Sequence, residues 1–281
     1  MINKIILFLA GLVFTLHSCS NWELKPVSMG ETWSFVVFSD VQQGYGVYSL
    51  LARNISLIDP TPKVAICCGD IMLKPANEVE WLNFLQYSDP ILDKMPLLIA
   101  RGNHEGNDPA SETLLHQFGQ IKGEHFYYTH KEKDAFFVIL DTRIKEEEQA
   151  ILGDQLKWLK YKLDSASADS TIAHIFLFMH QPLYPQGRHK GQNLINADSL
   201  HLIFLEHTKI RAIFAGHDHL YNKYVKDGII YITTGGGGGI LYSGYGGNYH
   251  HFVKVSFFRE PQRINIKTIG IFNEVVEDFD I

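Results

Sequence analysis

The sequence has 281 residues, with 25 basic against 31 acidic side chains and 46% hydrophobic residues. This length and apolar content suffice for a hydrophobic core and exclude a disordered chain. Three cysteines are too few for a small fold held together by disulfides. The formal net charge of −6 argues against a general nucleic-acid-binding protein, so no nucleic acid is expected among its partners.

The first residues carry the pattern of an export signal. Lys4 precedes an apolar run that ends at Leu16 and is too short to span a bilayer comfortably. Leu16 and Cys19 stand at the spacing of a bacterial lipobox, which predicts a lipoprotein-type signal peptide at residues 1–18, lipid attachment at Cys19 and a tether at residues 19–32. The protein would be exported from a bacterial cytoplasm and anchored to a membrane, in the periplasm or at the cell surface. The alternative is a plain secretory signal with an incidental cysteine.

Strand-like and helical patterns alternate along the rest of the chain, which is typical of a layered α/β fold. We predict strands at Ser34–Ser39, Val64–Cys68, Leu97–Ala100, Ala135–Leu140, Ile175–Met179 and Ala212–Ala215. Helices are predicted at Val47–Ile58, after Asn77 and after Asp154. From Ile229 onward the pattern is β-rich, with the runs IIYITT, FVKVSFF and INIKTIGI. Without internal repeats or a linker, residues 33–281 are predicted to form one domain.

Polar residues that can bind metals follow five of these strands. In α/β sheets ligands bind at the carboxyl ends of strands, so these side chains are expected to converge. Together, Asp, Asn and His form a ligand set suited to Mn, Fe or Zn. Each motif alone has a simpler reading as a helix cap or a turn, but their joint occurrence favours a metal site. The segments are Asp40-Val41-Gln42, Gly69-Asp70, Gly102-Asn103-His104-Glu105, His180-Gln181-Pro182 and Gly216-His217-Asp218-His219.

This ordered set resembles the calcineurin-like metallophosphoesterase superfamily, whose pattern is D-x-H, G-D, G-N-H-[DE], H and G-H-x-H. The resemblance extends from about Phe35 to His219 and implies a four-layer α/β/β/α sandwich with two divalent metal ions. It also implies that His104 lies beside the scissile phosphate without binding metal, oriented by a neighbouring carboxylate; whether Glu105 is that carboxylate is open. The implied ligands are Asp70 for both metals, Asp40 and His219 for the first, and Asn103, His180 and His217 for the second.

Two positions depart from the commonest family patterns. Gln42 replaces the usual histidine of the first motif, as in a branch similar to manganese-dependent ADP-ribose/CDP-alcohol diphosphatases. An amide oxygen is a weaker donor than imidazole, so the first site would favour Mn²⁺ over Zn²⁺, unless Gln42 faces away from the site. Leu73 stands where purple acid phosphatases have an iron-binding tyrosine, so the purple colour should be absent, although the segment Asp154–Leu159 and the glycine-rich run resemble that group's scaffold.

Several segments are candidates for binding the substrate. Arg188, His189 and Lys190 could contact a phosphate, or could form an ordinary solvated loop. The run Gly235–Gly239 could let a substrate approach the backbone, or could be a flexible turn. Tyr245, Tyr249, His250 and His251 could stack on a base or a sugar, or could pack in the fold, and Cys67 and Cys68 are predicted to be inert core residues.

These observations predict an exported, lipid-anchored hydrolase that cleaves phosphoester or phosphoanhydride bonds of a phosphorylated small molecule, using hydroxide activated by two metals. The alternative is a catalytically weak or inactive relative that binds phosphorylated ligands or a partner, which only Gln42 favours. A metal-free hydrolase is disfavoured because no convincing G-x-S-x-G motif is present. The choice among monoester, diester and diphosphate stays open, as does the oligomeric state.

Overall fold

The computed structural model describes residues 30–75, 77–118, 121, 123–260 and 262–281. The predicted signal peptide, the predicted lipid-attachment residue Cys19 and residues 20–29 of the predicted tether lie outside this range. The described residues form two six-stranded sheets and five helices. Of these helices, none has both the length and the apolar character needed to cross a membrane.

The first sheet is built from the beginning and the end of the chain. Its strands are β1 at Trp33–Phe38, β2 at Ala65–Cys67, β3 at Leu97–Ile99, β10 at His251–Arg259, β11 at Gln262–Gly270 and β12 at Val275–Asp280. They lie in the order β12-β11-β10-β1-β2-β3. β1, β2 and β3 are parallel, whereas β10 runs antiparallel to β1 and places Phe257 opposite Trp33.

The second sheet comes from the middle of the chain. Its strands are β4 at Tyr128–Glu132, β5 at Ala135–Ile139, β6 at His174–Phe178, β7 at Ile210–Ala215, β8 at Tyr221–Lys226 and β9 at Ile229–Thr234. Their order is β4-β5-β6-β7-β9-β8, with β5, β6, β7 and β9 parallel. The two edge strands, β4 and β8, pair antiparallel with their neighbours.

The two sheets pack face to face, and the helices cover their outer faces. The helices are α1 at Tyr45–Ser56, α2 at Glu78–Leu92, α3 at Pro109–Phe118, α4 at Gly153–Ala168 and α5 at Ala197–Leu205. Alternate residues of β1 serve the two sides: Phe35 and Val37 join the core between the sheets, and Val36 and Phe38 join the core beneath α1, α2 and α3. Helices α4 and α5 pack in the same way on the second sheet. This is the four-layer α/β/β/α sandwich that the resemblance implied.

The predicted strands and helices are confirmed, with ends that shift by one or two residues. For example, the helix predicted at Val47–Ile58 begins at Tyr45 and ends at Ser56, and α2 begins after Asn77, whose side chain accepts hydrogen bonds from the first turn. Cys67 and Cys68 are buried free thiols whose pKa burial raises, as expected of inert core cysteines. Five elements were not predicted, namely α3, β4, α5, β8 and β12.

Candidate metal centre and active site

Two groups of side chains that can bind metals meet where the parallel strands of both sheets end. Ligand atoms of Asp40, Asp70 and His219 lie within 4.8 Å of one another, and so do those of Asp70, His180 and His217. Asp70 belongs to both groups. Its Oδ1 lies 3.4 Å from Nε2 of His180, and its Oδ2 lies 3.2 Å from the side-chain amide of Gln42. A carboxylate with one oxygen facing each group is suited to bridging two cations.

The first group contains Asp40, Gln42 and His219. Oδ1 of Asp40 lies 3.4 Å from Nε2 of His219, and the same carboxylate accepts a hydrogen bond from the backbone N–H of His217. The side-chain amide of Gln42 lies 3.2 Å from Asp70 and 3.4 Å from Nε2 of His219. The alternative in which Gln42 faces away from the site is therefore wrong.

The second group contains Asn103, His180 and His217. Oδ1 of Asn103 lies 2.9 Å from Nε2 of His180 and 2.8 Å from Nδ1 of His217. Asn103 follows β3 of the first sheet, whereas His180 and His217 follow β6 and β7 of the second. The two sheets must therefore pack correctly for this group to form.

The backbone of the site is held in an uncommon conformation. The φ angle is +61° at Asp40, +42° at Gln42, +54° at Asp70 and +69° at His217. Such left-handed conformations cost roughly 1–3 kcal/mol each and persist only where the surroundings fix them. Here the two loops fix one another, because the N–H of Asp40 donates to the carbonyl of Gly69 and the N–H of Gln42 donates to that of Asp70. Strain that is concentrated at four predicted ligands supports a functional site.

Backbone carbonyl groups orient two of the histidines. Nδ1 of His180 lies 2.8 Å from the carbonyl oxygen of Cys68, and Nδ1 of His219 lies 2.7 Å from that of Ile240. A ring that donates its Nδ1–H to a carbonyl presents Nε2 as the free donor atom. Hydrogen bonds of this kind commonly support metal-binding histidines, since they fix both the tautomer and the orientation of the ring.

The site contains buried carboxylates that require positive charge close by to stay ionised. Asp40 and Asp70 are 0% and 1% exposed. Burial opposes ionisation of Asp70, but His180 and His104 outweigh it and hold the pKa of this carboxyl below its usual range. Burial likewise opposes protonation of His180, but Asp70 outweighs it and raises the pKa of this imidazole to about 9. Burial and the nearby charge of His180 lower the pKa of His217 to about 3, which leaves that ring neutral. Carboxylates and imidazoles that are buried together in this way fit divalent cations.

Glu105 acts on the backbone and not on His104. Its carboxylate accepts hydrogen bonds from the N–H groups of Gly102 at 2.7 Å, Asp70 at 3.0 Å and Ile71 at 2.8 Å. It therefore joins the loops that follow β2 and β3. Burial and the charge of Asp70 raise the pKa of Glu105 to about 7. A side chain at position 102 would collide with this network, because a Cβ there would lie 2.3 Å from Asp70.

His104 has a different orienting partner from the carboxylate that the family resemblance implied. Its Nδ1 lies 2.6 Å from the carbonyl oxygen of Leu73, and its Nε2 lies 3.8 Å from Oδ2 of Asp70. The side chain is 31% exposed and lines the cavity above the two groups of ligands. Donation of Nδ1–H to Leu73 leaves Nε2 as the nitrogen that faces the cavity. The carbonyl oxygen of Leu73 therefore orients His104 in the way that the resemblance assigned to a carboxylate.

A cavity of about 630 Å³ opens over the site and includes the predicted substrate residues Arg188 and His189. The guanidinium of Arg188 lies 5.1 Å from the ring centre of Tyr242, and Tyr242 stacks on His219 at 4.6 Å. His189 stacks on His217 at 4.2 Å. Tyr242 was not predicted as a residue of the site, because its position in the sequence has no fixed spacing from the metal-binding motifs. Lys190 is exposed, but it is not part of the cavity wall.

Asp218 was likewise missed as a residue with a role of its own. It is fully buried and lies in the sequence between the predicted ligands His217 and His219. Its carboxylate accepts the N–H of Gly187 at 2.8 Å and the N–H of His189 at 3.1 Å, and lies 2.7 Å from Nδ1 of His189. The middle residue of the G-H-D-H motif therefore fixes the loop that carries Arg188 and His189. The only sign of this role in the sequence was the presence of an aspartate between the two histidines of the motif.

The glycine run and some of the predicted stacking residues serve the fold instead. Gly235–Gly239 is buried and packs on the loop that follows β1, so it is neither a substrate-binding surface nor a flexible turn. A Cβ at position 237 would lie 2.3 Å from the carbonyl oxygen of Ser39, which explains the need for glycine. His251 is fully buried, and Nδ1 of His250 lies 3.2 Å from the carbonyl oxygen of Gly236. Tyr245, by contrast, lines the cavity.

Comparison with known proteins agrees with this geometry. A family model described as Calcineurin-like phosphoesterase matches residues 34–221. The chain belongs to this family. The matched part of this calcineurin-like phosphoesterase contains all the predicted metal ligands and His104. Purple acid phosphatase 23 of Arabidopsis thaliana is 23% identical over 190 residues, which cover 61% of this chain and 40% of that protein. The chain thus spans less than half the length of this curated relative.

Solved structures of similar proteins show the same fold. The purple acid phosphatase from yellow lupin seeds superimposes with a TM-score of 0.73 at 16% identity, over 89% of this chain and 53% of that one. A dimetal phosphatase from Danio rerio superimposes with a TM-score of 0.66 at 18% identity, over 90% of this chain and 99% of that one. The second structure is matched along nearly its whole length, so the sandwich described above corresponds to the whole fold of that protein.

Proposed function

We propose that this protein is a hydrolase of phosphoester or phosphoanhydride bonds that uses two divalent metal ions. The observation that carries the proposal is the buried carboxylate of Asp70, which two groups of potential ligands share. Membership of the calcineurin-like phosphoesterase family supports the class of reaction. The dimetal phosphatase of Danio rerio has the same fold and is named for a pair of metals, which supports the stoichiometry.

The donor set fits borderline divalent cations. Carboxylate and amide oxygens combined with imidazole suit Mn²⁺, Fe²⁺ or Zn²⁺ better than metals that prefer thiolates. Nε2 of Gln42 faces Asp70 and His219. A rotation of this amide would present its oxygen to the first ion, and that donor favours Mn²⁺ there. The first ion would be held by Asp40, Asp70, Gln42 and His219, and the second by Asp70, Asn103, His180 and His217.

The remaining side chains support in-line attack on a phosphorus atom. When bound, two such cations neutralise the phosphate oxygens and lower the pKa of a water molecule. His104 faces the leaving oxygen with Nε2, because its Nδ1–H is committed to the carbonyl of Leu73. In its doubly protonated form, the ring donates the Nε2 proton to that oxygen and becomes neutral. Arg188 and His189 bind the phosphate from the wall of the cavity, where a guanidinium is well suited to an anion.

The proposal extends to the location of the protein. Residues 1–18 direct export, and lipid on Cys19 holds the domain to a membrane by the tether at residues 19–32. Mass spectrometry of the mature N-terminus tests this, with a diacylated Cys19 expected. Changing Cys19 to Ser should release the protein from membranes. An unmodified mature N-terminus beyond Cys19 would instead support a plain secretory signal.

The test of the reaction combines metal content with turnover. The full chain is purified in detergent, stripped of metals and reloaded with Mn²⁺, Fe²⁺ or Zn²⁺. It is then assayed with p-nitrophenyl phosphate, bis-p-nitrophenyl phosphate and ADP-ribose. We expect about two bound ions per chain and turnover that depends on them. Bound metal without turnover of any phosphoester would support the inactive, ligand-binding relative. Failure to bind metal would contradict the proposed site.

A further inference from the structure

A second cavity of about 510 Å³ lies beside the first, and Tyr245 lines both. It is lined by residues of two exposed sheet edges, β8 of the second sheet and β12 of the first. We call it the tyrosine groove. Its walls include Tyr221, Asn222, Lys223, Tyr245, Tyr249 and Glu277. Because the groove and the active-site cavity share a wall, one ligand can extend from the first into the second.

The wall between the two cavities is held in place by the backbone. Tyr245 lies between Gly244, with φ +89°, and Gly246, with φ +72°. The carbonyl of the next residue, Gly247, accepts a hydrogen bond of 2.7 Å from the N–H of Tyr221 on β8. A Cβ at position 247 would lie 1.9 Å from the carbonyl oxygen of Tyr221, so the loop packs directly on the strand. The loop is thus anchored on the C-terminal side of Tyr245, although 51% of the surface of this side chain is exposed.

The lysine of the groove is neutralised by an ion pair, whereas the arginine of the first cavity is not. Lys223 forms an ion pair with Glu277, and the hydroxyl of Tyr221 donates to the same carboxylate. The groove therefore offers no free positive charge for a second phosphate. In the first cavity, Arg188 forms no ion pair with any residue in the described part of the chain, and it is available for an anion. This difference assigns the phosphate to the first cavity and an uncharged group to the groove.

The chemistry of the walls favours a flat ring. Tyrosine rings bind flat rings by stacking and by edge contacts. Tyr245 and Tyr249 supply two such rings, whereas Tyr221 is 9% exposed and packs against the core. The amide of Asn222 can pair with hydroxyl or carbonyl groups. We propose that the tyrosine groove binds the uncharged, flat, ring-bearing organic group of the phosphoester whose phosphate lies in the first cavity. This inference rests on the proposed function, and it deepens it by naming a class of substrate.

The experiment compares substrates with and without a large flat ring. The full chain is assayed with 4-methylumbelliferyl phosphate, AMP and glycerol 2-phosphate. Changing Tyr245 to Ala should lower kcat/KM about tenfold for the two ring-bearing esters and by less than about twofold for glycerol 2-phosphate. The matched control is Tyr161→Ala, a change of an exposed tyrosine on α4 that should leave all three unchanged. A larger effect on AMP than on the umbelliferyl ester would identify a base as the preferred ring.

A second variant and a binding measurement make the outcomes decisive. Asn222→Phe should fill the groove and discriminate against the ring-bearing esters in the same way. An equal loss for all three substrates would place Tyr245 in phosphate binding and overturn the inference, as would no loss in either variant. If the wild-type protein hydrolyses none of these monoesters, the diester and ADP-ribose assays described above decide the proposed function, and titration with 4-methylumbelliferone and adenosine decides the groove alone. Binding of either that is lost in Tyr245→Ala supports it, and the absence of binding overturns it.

Discussion

The cluster of predicted metal ligands and the rim of the cavity are built in opposite ways. The cluster is buried, and its loops hydrogen-bond to one another and to Glu105. The rim consists of exposed side chains such as Arg188 and Tyr245, which are fixed by a few contacts with the loops beneath them. Changing one cluster residue disturbs several partners, whereas changing one rim residue disturbs few. The reaction class is therefore set by the fold, and the choice of substrate is set by its surface.

The strongest test of this contrast is Asp70→Asn, at the centre of the cluster. Loss of one charged oxygen weakens both groups of ligands together, so we expect both ions to be lost and kcat to fall by about a thousandfold or more. Metal analysis and turnover at saturating substrate measure this. Asp164→Asn, on the exposed surface of α4, is the control and should change neither. Retention of both ions with near wild-type kcat would contradict the assignment of Asp70.

His104 lies at the boundary between cluster and rim, and it should separate metal binding from turnover. It contacts the carbonyl of Leu73 through Nδ1 and faces the cavity with Nε2. His104→Ala should lower kcat about a hundredfold or more while both ions remain bound, because the proton donor is lost and the ligands are not. The effect should be smaller for p-nitrophenyl phosphate than for an alkyl phosphate, since a good leaving group needs less protonation. A parallel loss of metal would make His104 part of the cluster.

Asp218 connects the cluster to the rim, so its replacement should act on substrate binding. Asn offers one acceptor oxygen where the carboxylate now serves three donors, which leaves the loop carrying Arg188 and His189 incompletely fixed. We expect Asp218→Asn to raise KM about tenfold, with a smaller change in kcat and no loss of metal. Steady-state kinetics with metal analysis measure this. Asp154→Asn, at an exposed position on α4, should leave KM unchanged.

The smallest expected effect is that of Gln42→His, which gives the first motif its commonest form. Imidazole is a stronger donor than an amide oxygen, so the affinity of the first site for Zn²⁺ should increase relative to Mn²⁺ by several-fold, on the order of 1 kcal/mol. Competition between the two ions during reloading measures this change. An unchanged preference would show that Gln42 does not bind the metal, even though it lies 3.2 Å from Asp70.

The cluster could be predicted from the sequence because its residues share one context, the end of a buried strand. Asp40, Asp70, Asn103, His180 and His217 all follow strands that apolar runs reveal. The supporting contacts could not be predicted in this way. Glu105 binds backbone groups near Asp70, and Asp218 binds a loop about thirty residues earlier. Only packing brings such partners together.

The missed elements and the misread glycine run have related causes. β12 exposes most of its side chains and β8 carries mixed polar residues, so neither shows the apolar run that identified the other strands. The glycine content of Gly235–Gly239 suggested a flexible turn, because glycine is common in turns. In the structure, the run is buried because two backbone segments approach more closely there than any side chain allows. Local sequence patterns indicate the conformation that a segment prefers by itself. They do not indicate how closely another segment packs against it.

The pairing of β1 with β10 determines when the first sheet can form during synthesis. The segment 128–234 supplies the whole second sheet, while the first sheet must wait for β10, β11 and β12 at the far end of the chain. During synthesis, β1 emerges before β10, so Trp33 gains its strand partner only when Phe257 follows. The first sheet therefore cannot form completely before residues 251–280 are available. Chains that stop short of His251 should stay unfolded and remain accessible to proteases.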